Sequence, residues 1–244
     1  MLAKLIHAGP GHEPDAAGVT VVSRVRQAAG GGRVVEVEAG RLTGWINRFG
    51  VRNDGLGAVT GSLSTVTVTA GNGTVATLAV PFPPMRAGDG EPVQALLDHL
   101  GQVGPTAAIL VRAGAYSIGI CSDGAVQSSS TDTRYVQSRT AAGGWSQQRY
   151  ARRRGNQRRD ANRAAAGAAH RVLAPAAGSI RALVVGGEPG AIREVLDDPR
   201  LAFLVQLPRR TFTDVAEPRR AVLDQVAARC LAIEITIREA PAPH

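Results

Sequence analysis

Residues 106–136, TAAILVRAGAYSIGICSDGAVQSSSTDTRYV, read as three β-strands in a meander that turns at Ala113-Gly114 and at Ser122-Asp123-Gly124. The runs between those points are rich in Ile, Val, Tyr, Ser and Thr, and each turn contains a glycine. Downstream, ALVVGG (182–187) reads as a short buried strand running into a helix, GEPGAIREVLDD (187–198). After it come the apolar run FLVQL (203–207), a helix from Pro218 to about Cys230 and the strand AIEITIRE (232–239). Strands and helices alternate through this half, so the expected class is α/β, of the mixed α+β kind, with a mixed β-sheet flanked by helices.

Upstream of the meander, RVVEVEA (33–39) alternates like a half-buried strand, and Leu42, Trp45, Ile46 and Phe49 follow at the spacing of one helical face. STVTVTAGNGTVATLAVPF (64–82) sets two β-branched runs around Gly71-Asn72-Gly73, the pattern of a hairpin. PFPPMRAGDGEP (81–92) is a Pro/Gly-rich linker before the short helix VQALLDHL (93–100), and a subdomain boundary is expected near residue 90. The expected organisation is a loosely ordered leader (1–32), a β-rich part (33–90) and an α/β part (91–240), with 33–240 forming one compact unit.

The chain has 244 residues and a formal charge of +8, from 28 Lys+Arg against 20 Asp+Glu. That charge is local. Ten arginines and one acid, Asp160, lie between Arg134 and Arg171, so this stretch carries +9 and the remainder is close to neutral. No apolar run is long enough for a membrane helix, and the first residues are too short and polar for a secretory signal, so a cytoplasmic protein without membrane contact is expected. Cys121 and Cys230 are far apart and lack the short spacing of a metal site, which makes them small buried apolar residues; no metal or cofactor is expected.

Within the basic stretch, Ser146 to about Leu173 is rich in Ala, Arg and Gln and is followed by Pro175, the composition and stop signal of a long helix. Tyr150, Ala161, Ala165, Ala168 and Val172 share one face, and Arg149, Arg152, Arg153, Arg159, Arg163 and Arg171 share the other. Gly155 lowers helix propensity and marks a point of possible bending. Acids are not interleaved to relieve repulsion, so a polyanion is the expected counter-charge. Arginine suits phosphate and stacks on bases, and Tyr135, Trp145 and Tyr150 add aromatic surface to the same segment. The RNA-binding candidates are Arg139, Arg149, Arg152, Arg153, Arg154, Arg158, Arg159, Arg163, Trp145 and Tyr150.

Immediately before the helix, TAAGGWSQQ (140–148) places Gly143 and Gly144 at its entry, where free N–H groups attract an anion or a developing oxyanion. GGWSQQRYARRR resembles the Gly-Gly-Gln loop and following helix of eukaryotic and archaeal class I release factors, through Gly143, Gly144, Ser146, Arg149, Tyr150, Ala151 and Arg152. Trp145 stands where those factors carry the catalytic glutamine. The Gly-x-x-Gln spacing of Gly144-Trp145-Ser146-Gln147 instead resembles the Vms-like release factors, and the resemblance extends over about residues 33–238. It implies the fold of the release-factor catalytic middle domain and hydrolysis of the ester joining a nascent peptide to tRNA, at the peptidyl-transferase centre of a stalled large ribosomal subunit. Peptidyl-tRNA and the RNA of that subunit are the implied partners. The implied catalytic group is Gln147, with adjacent Gln148 as the alternative, supported by Gly143, Gly144 and Ser146.

Other chemistries fit less well. A binding-only module would use the arginine helix with the Gly-Gly loop as a hinge. A metal nuclease needs clustered carboxylates, and Asp123, Asp132 and Asp160 form no such pattern. A serine hydrolase needs a Gly-x-Ser-x-Gly elbow, which is missing; His7, His12 and His244 are near the termini, and His99 and His170 have no marked partner. Gly186-Gly187-Glu188-Pro189-Gly190 lacks the Lys-Ser/Thr of a P-loop and reads as a structural turn.

Overall fold

The computed structural model describes residues 25–86, 90–133 and 145–240, with backbone alone at 145–151. The first half contains β1 (Arg26–Gln27), β2 (Arg33–Val37), α1 (Leu42–Arg52), β3 (Leu56–Gly61), β4 (Thr65–Ala70), β5 (Val75–Ala79) and α2 (Pro92–Gln102). The second contains β6 (Thr106–Arg112), β7 (Ala115–Ser122), β8 (Ala125–Thr133), α3 (Trp145–Leu173), β9 (Ala182–Gly187), α4 (Pro189–Leu196), β10 (Arg209–Phe212), α5 (Arg220–Arg229) and β11 (Ile233–Arg238). These strands form two sheets, ordered β1-β2-β11-β5-β4-β3 and β10-β9-β6-β7-β8.

The second sheet is mixed. β6 pairs antiparallel with β7 and β7 with β8, whereas β6, β9 and β10 run parallel. Its meander turns where the sequence places them, with Ala113, Gly114, Asp123 and Gly124 all at positive φ. Six of the seven residues of β6 are buried because both faces of the sheet are covered. Ala107, Ile109 and Val111 join the core beneath α3 and α4. Ala108 and Leu110 face the opposite way, into a core with Leu223, Val226 and Ala227 of α5. Cys121 and Cys230 are buried in that second core, and burial foremost raises their thiols to about 12 and about 11.

The antiparallel sheet packs its inner residues, among them Val66, Val68, Leu78, Ile233, Ile235 and Ile237, against Leu42, Ile46 and Phe49 of α1 and Leu96 and Leu100 of α2. Trp45 is half-buried and stacks on Phe49 at 5.4 Å between ring centroids. The Gly71-Asn72-Gly73 hairpin forms as expected, and Asn72 Oδ1 accepts from the Thr74 N–H at 3.0 Å. Two features depart from local patterning. Arg26 and Gln27, inside the stretch read as a leader, pair with β2, and the last strand, β11, inserts between β2 and β5.

The edge strand of the second sheet, β10, is not marked by an apolar pattern. FLVQL is not extended: Phe203 and Leu204 end a 3-10 segment, Pro199–Leu204, and the strand that follows is RRTF, β10. Its arginines obscured it. Arg210 is nevertheless held in place, with Nη1 donating to the carbonyls of Cys230 and Ala232 at 3.0 and 2.6 Å. Arg229 makes a two-pronged contact with Glu36, at 3.1 Å from Nε and 2.8 Å from Nη2, and a further ion pair with Asp214 at 3.1 Å. Both guanidinium groups lie over the Phe212 ring, at 5.0 and 4.8 Å. Burial alone would lower the Arg229 guanidinium, but the hydrogen bonds and charge of Glu36, joined by Asp214, hold it above its ordinary range. This cluster ties β2 of one sheet to β10 of the other through α5.

Candidate nucleic-acid interface

The 29 residues of α3 make a rod about 43 Å long at 1.5 Å per residue. It continues through Gly155 with no break, because a single glycine costs only about 1 kcal/mol against Ala and the flanking residues are strong helix formers. Ala161, Ala165, Ala166, Ala168, Ala169 and Leu173 are buried. All but Ala161 belong to the core that α3 shares with β6, β7 and β9. Small side chains let the helix axis approach the sheet closely. The expected packing face is therefore present at Ala161, Ala165 and Ala168, with Val172 half-buried at its margin.

Two polar contacts fix the helix against α4. Asn162, only 8% exposed, donates from Nδ2 to Glu194 Oε2 at 2.7 Å. One turn earlier, Arg158 Nη2 donates to Glu188 Oε1 at 2.8 Å. No local pattern foretells these pairs, since the acids come from a helix about 30 residues away. They correct the expectation that Asp160 alone opposes the arginines, and Asp160 itself pairs with Arg163 at 3.1 Å.

Arg152, Arg153, Arg159, Arg163 and Arg171 are exposed, on the face opposite the buried alanines, as expected. Arg158 is also exposed and Arg154 is half-buried. Arg159 donates to the side chain of Asn156 at 2.6 Å. Arg152, Arg153 and Arg154 make no ion pair among the described residues, so the first turns of the described side-chain surface carry the least neutralised charge. The second half of the helix is thus an anchor and the preceding part a cationic extension.

The remaining candidates are only partly described. Trp145, Ser146, Gln147, Gln148, Arg149 and Tyr150 lie in the first two turns of α3, where the backbone is helical. Arg139, Gly143 and Gly144, and with them the Gly-Gly loop, lie outside the described residues. Gly187, in the segment read as a structural turn, has φ +112°, and a Cβ there would lie 2.1 Å from the Val111 carbonyl oxygen. A Cβ on Gly186 would lie 2.5 Å from Val215. These glycines serve close packing of β9 against its neighbours, and Glu188 beside them is engaged by Arg158. His99 holds the Pro81 carbonyl at 2.9 Å from Nε2. No group of three or more His, Cys, Asp or Glu is arranged to hold a metal among the described residues, and no helix there is long and apolar enough to cross a membrane.

A mixed sheet carrying an alanine-faced helix with an under-neutralised cationic end defines an α+β protein whose exposed charge suits a polyanion. More narrowly, the chain belongs to the Actinobacteria/chloroflexi VLRF1 release factor family, whose model matches residues 104–236. That span begins just before β6 and excludes most of the antiparallel sheet, so it is shorter than residues 33–238. Among solved structures, the chain is similar to one described as "Vms1 mitochondrial localization core", with 10% identity and a TM-score of 0.43 over 73% of this chain and 77% of that one. It is also similar to archaeal translation termination factor aRF1, with 16% identity and a TM-score of 0.30 over 67% of this chain and 51% of the other. No curated protein matches it in sequence.

Proposed function

We propose that this protein is a cytoplasmic peptidyl-tRNA hydrolase that releases nascent peptides from stalled large ribosomal subunits. The observation that carries the reading is the division of labour along α3: alanines, Asn162 and Leu173 anchor one part, while Arg152, Arg153 and Arg154, in the part nearer the Gly-Gly loop, make no ion pair among the described residues. Membership of a release factor family supports the same direction. On this reading Arg152, Arg153 and Arg154, with Arg139, Arg149, Arg158, Arg159 and Arg163, hold RNA phosphates. Trp145 and Tyr150 supply stacking surface beside the loop.

The chemical task is attack of water on an ester carbonyl. Positioning that water beside the carbonyl contributes several kcal/mol by converting an encounter into a local step. A neutral amide is suited to this, since the Gln147 side chain or backbone N–H can orient the water or stabilise the oxyanion without holding a proton of its own. Gly143 and Gly144 keep side chains out of a narrow RNA-lined entrance, with Ser146 between them and Gln147. Gln148 is the alternative amide.

Gln147→Ala is expected to abolish release of peptide from purified stalled large subunits while binding to them stays within about twofold of the parent. Parental release by Gln147→Ala together with loss in Gln148→Ala would move the role by one residue. Release at the parental rate in both variants would overturn the catalytic reading.

A further inference from the structure

The sheet edge farthest from the meander has a second surface that the proposed release activity does not use. There, β10 is the outermost strand of its sheet and pairs, among the described residues, only with β9. The Pro208 carbonyl accepts from Leu183 N–H at 2.9 Å, and Arg209 pairs in register with Leu183. In a parallel pair successive residues point their N–H and C=O groups to opposite sides. The backbone groups of Arg209 and Thr211 therefore face outward, where no strand pairs with them among the described residues. Beside this edge a groove of about 570 Å³ lies between β10 and α4. Ile192, Leu196 and Val205 supply apolar lining, and Val205 is 48% exposed. Arg193 and Arg209 stand at the same groove, both exposed and neither in an ion pair among the described residues, against a single lining acid, Asp197.

We propose that this edge and groove form a docking site for an extended acidic segment of a partner protein, which adds to β10 as a strand. Three independent requirements are met at one place. The outward N–H and C=O groups bind main chain whatever its sequence, as in other cases of strand addition. The groove takes one bulky apolar side chain, and its volume lies in the range of ligand pockets, roughly 300–1,000 Å³. The arginines select carboxylates on the flanks, and they would repel a basic segment. Because β10 has only four residues, the backbone ladder is short. The apolar side chain and the charges must supply the rest, which gives the site sequence preference.

The test uses the full chain and a fluorescein-labelled decapeptide that alternates Leu or Val with Asp or Glu. Controls are the same peptide with Lys for every acid and one with two central residues replaced by Pro. The acidic peptide is expected to bind saturably by fluorescence anisotropy, and the Lys and Pro peptides at least roughly tenfold more weakly. Arg193→Glu with Arg209→Glu should weaken the acidic peptide roughly tenfold or more, and Val205→Asp roughly fivefold. All three positions are exposed, so circular dichroism should confirm an intact fold. Arg152→Glu with Arg153→Glu, on α3, should change binding by less than about twofold. The proposal is overturned if the peptide does not bind, if the Pro peptide binds equally, or if binding is lost in the α3 variant and kept in the β10 variant. Release by stalled subunits should be unchanged in Arg193→Glu with Arg209→Glu, which separates this site from the hydrolytic one.

Discussion

Replacing Arg152 and Arg153 together by Ala should lower both the affinity for RNA and its dependence on salt, by an amount that follows from the surface of α3. Both guanidinium groups are exposed and make no ion pair among the described residues, so each is free to displace a counterion from phosphate. Each phosphate contact contributes a slope of roughly 0.7–0.9 in log K against log salt, so losing two lowers the slope by roughly 1.6. Between 50 and 200 mM salt, the parent should then lose about ninefold more affinity than the double variant. Arg163→Ala is the internal control. Arg163 already pairs with Asp160 at 3.1 Å, so its counterion release is smaller and the slope should fall by less than about half as much as for an unpaired arginine. Purified large subunits titrated by filter binding at five salt concentrations give the slopes directly. An unchanged slope in the double variant, or equal falls for Arg163→Ala and Arg152→Ala, would refute the reading of α3 as a phosphate-binding edge with an unneutralised end.

Three further outcomes test the scaffold. Gly155→Ala should stabilise the protein by about 0.5–1 kcal/mol in urea unfolding, because among the described residues a Cβ there meets only the Arg159 side chain at 3.8 Å and helical glycine is conformationally costly. Glu36→Ala should cost about 3 kcal/mol, seen as a fall of about 6–12 °C in Tm, because it leaves Arg229 and Arg210 poorly compensated in the cluster that joins the two sheets. A loss below about 1 kcal/mol would show that Asp214 alone suffices. Acid titration should expose Asp198. Its side chain accepts from the Arg200 side chain and N–H, which hold its carboxyl down at about 2. A depressed folded-state value means that its stabilisation is present above the unfolded value of about 3.9 and is lost as pH falls toward 2. Urea midpoints measured from pH 7 to pH 2 should therefore fall more steeply below pH 4 in the parent than in Asp198→Asn, and parallel curves would exclude the contribution.

Much of the second half is legible because its signals are short-range. The turns at Ala113-Gly114 and Asp123-Gly124 adopt left-handed backbone, and each carries a glycine that takes it at no steric cost. The alanines of α3 recur at helical spacing and face the sheet. Of the candidate site, the clustering of arginines can be followed on α3, where Arg152, Arg153, Arg159 and Arg163 are exposed, while the glycines before them lie outside the described residues. β10 escaped because RRTF has two arginines in four residues, and nothing nearby in sequence announces that Arg210 lies beneath the carbonyls of Cys230 and Ala232. The neighbouring apolar run FLVQL is not a strand. Its apolar residues Leu204 and Leu207 turn into the core from a 3-10 segment and the turn after it, a placement that period-two patterning cannot distinguish from a strand.

By itself the sequence determined which stretches are helix or turn, where the positive charge is concentrated, and the loop-and-helix string that points to peptide release. Tertiary structure alone decided that β11 inserts between β2 and β5, and that Glu188 and Glu194 hold α3 while Arg152 and Arg153 make no ion pair among the described residues. The division is physical. Helix periodicity and turn chemistry depend on neighbours a few residues away, whereas strand partners and counter-charges are chosen among groups that meet only after the chain has folded.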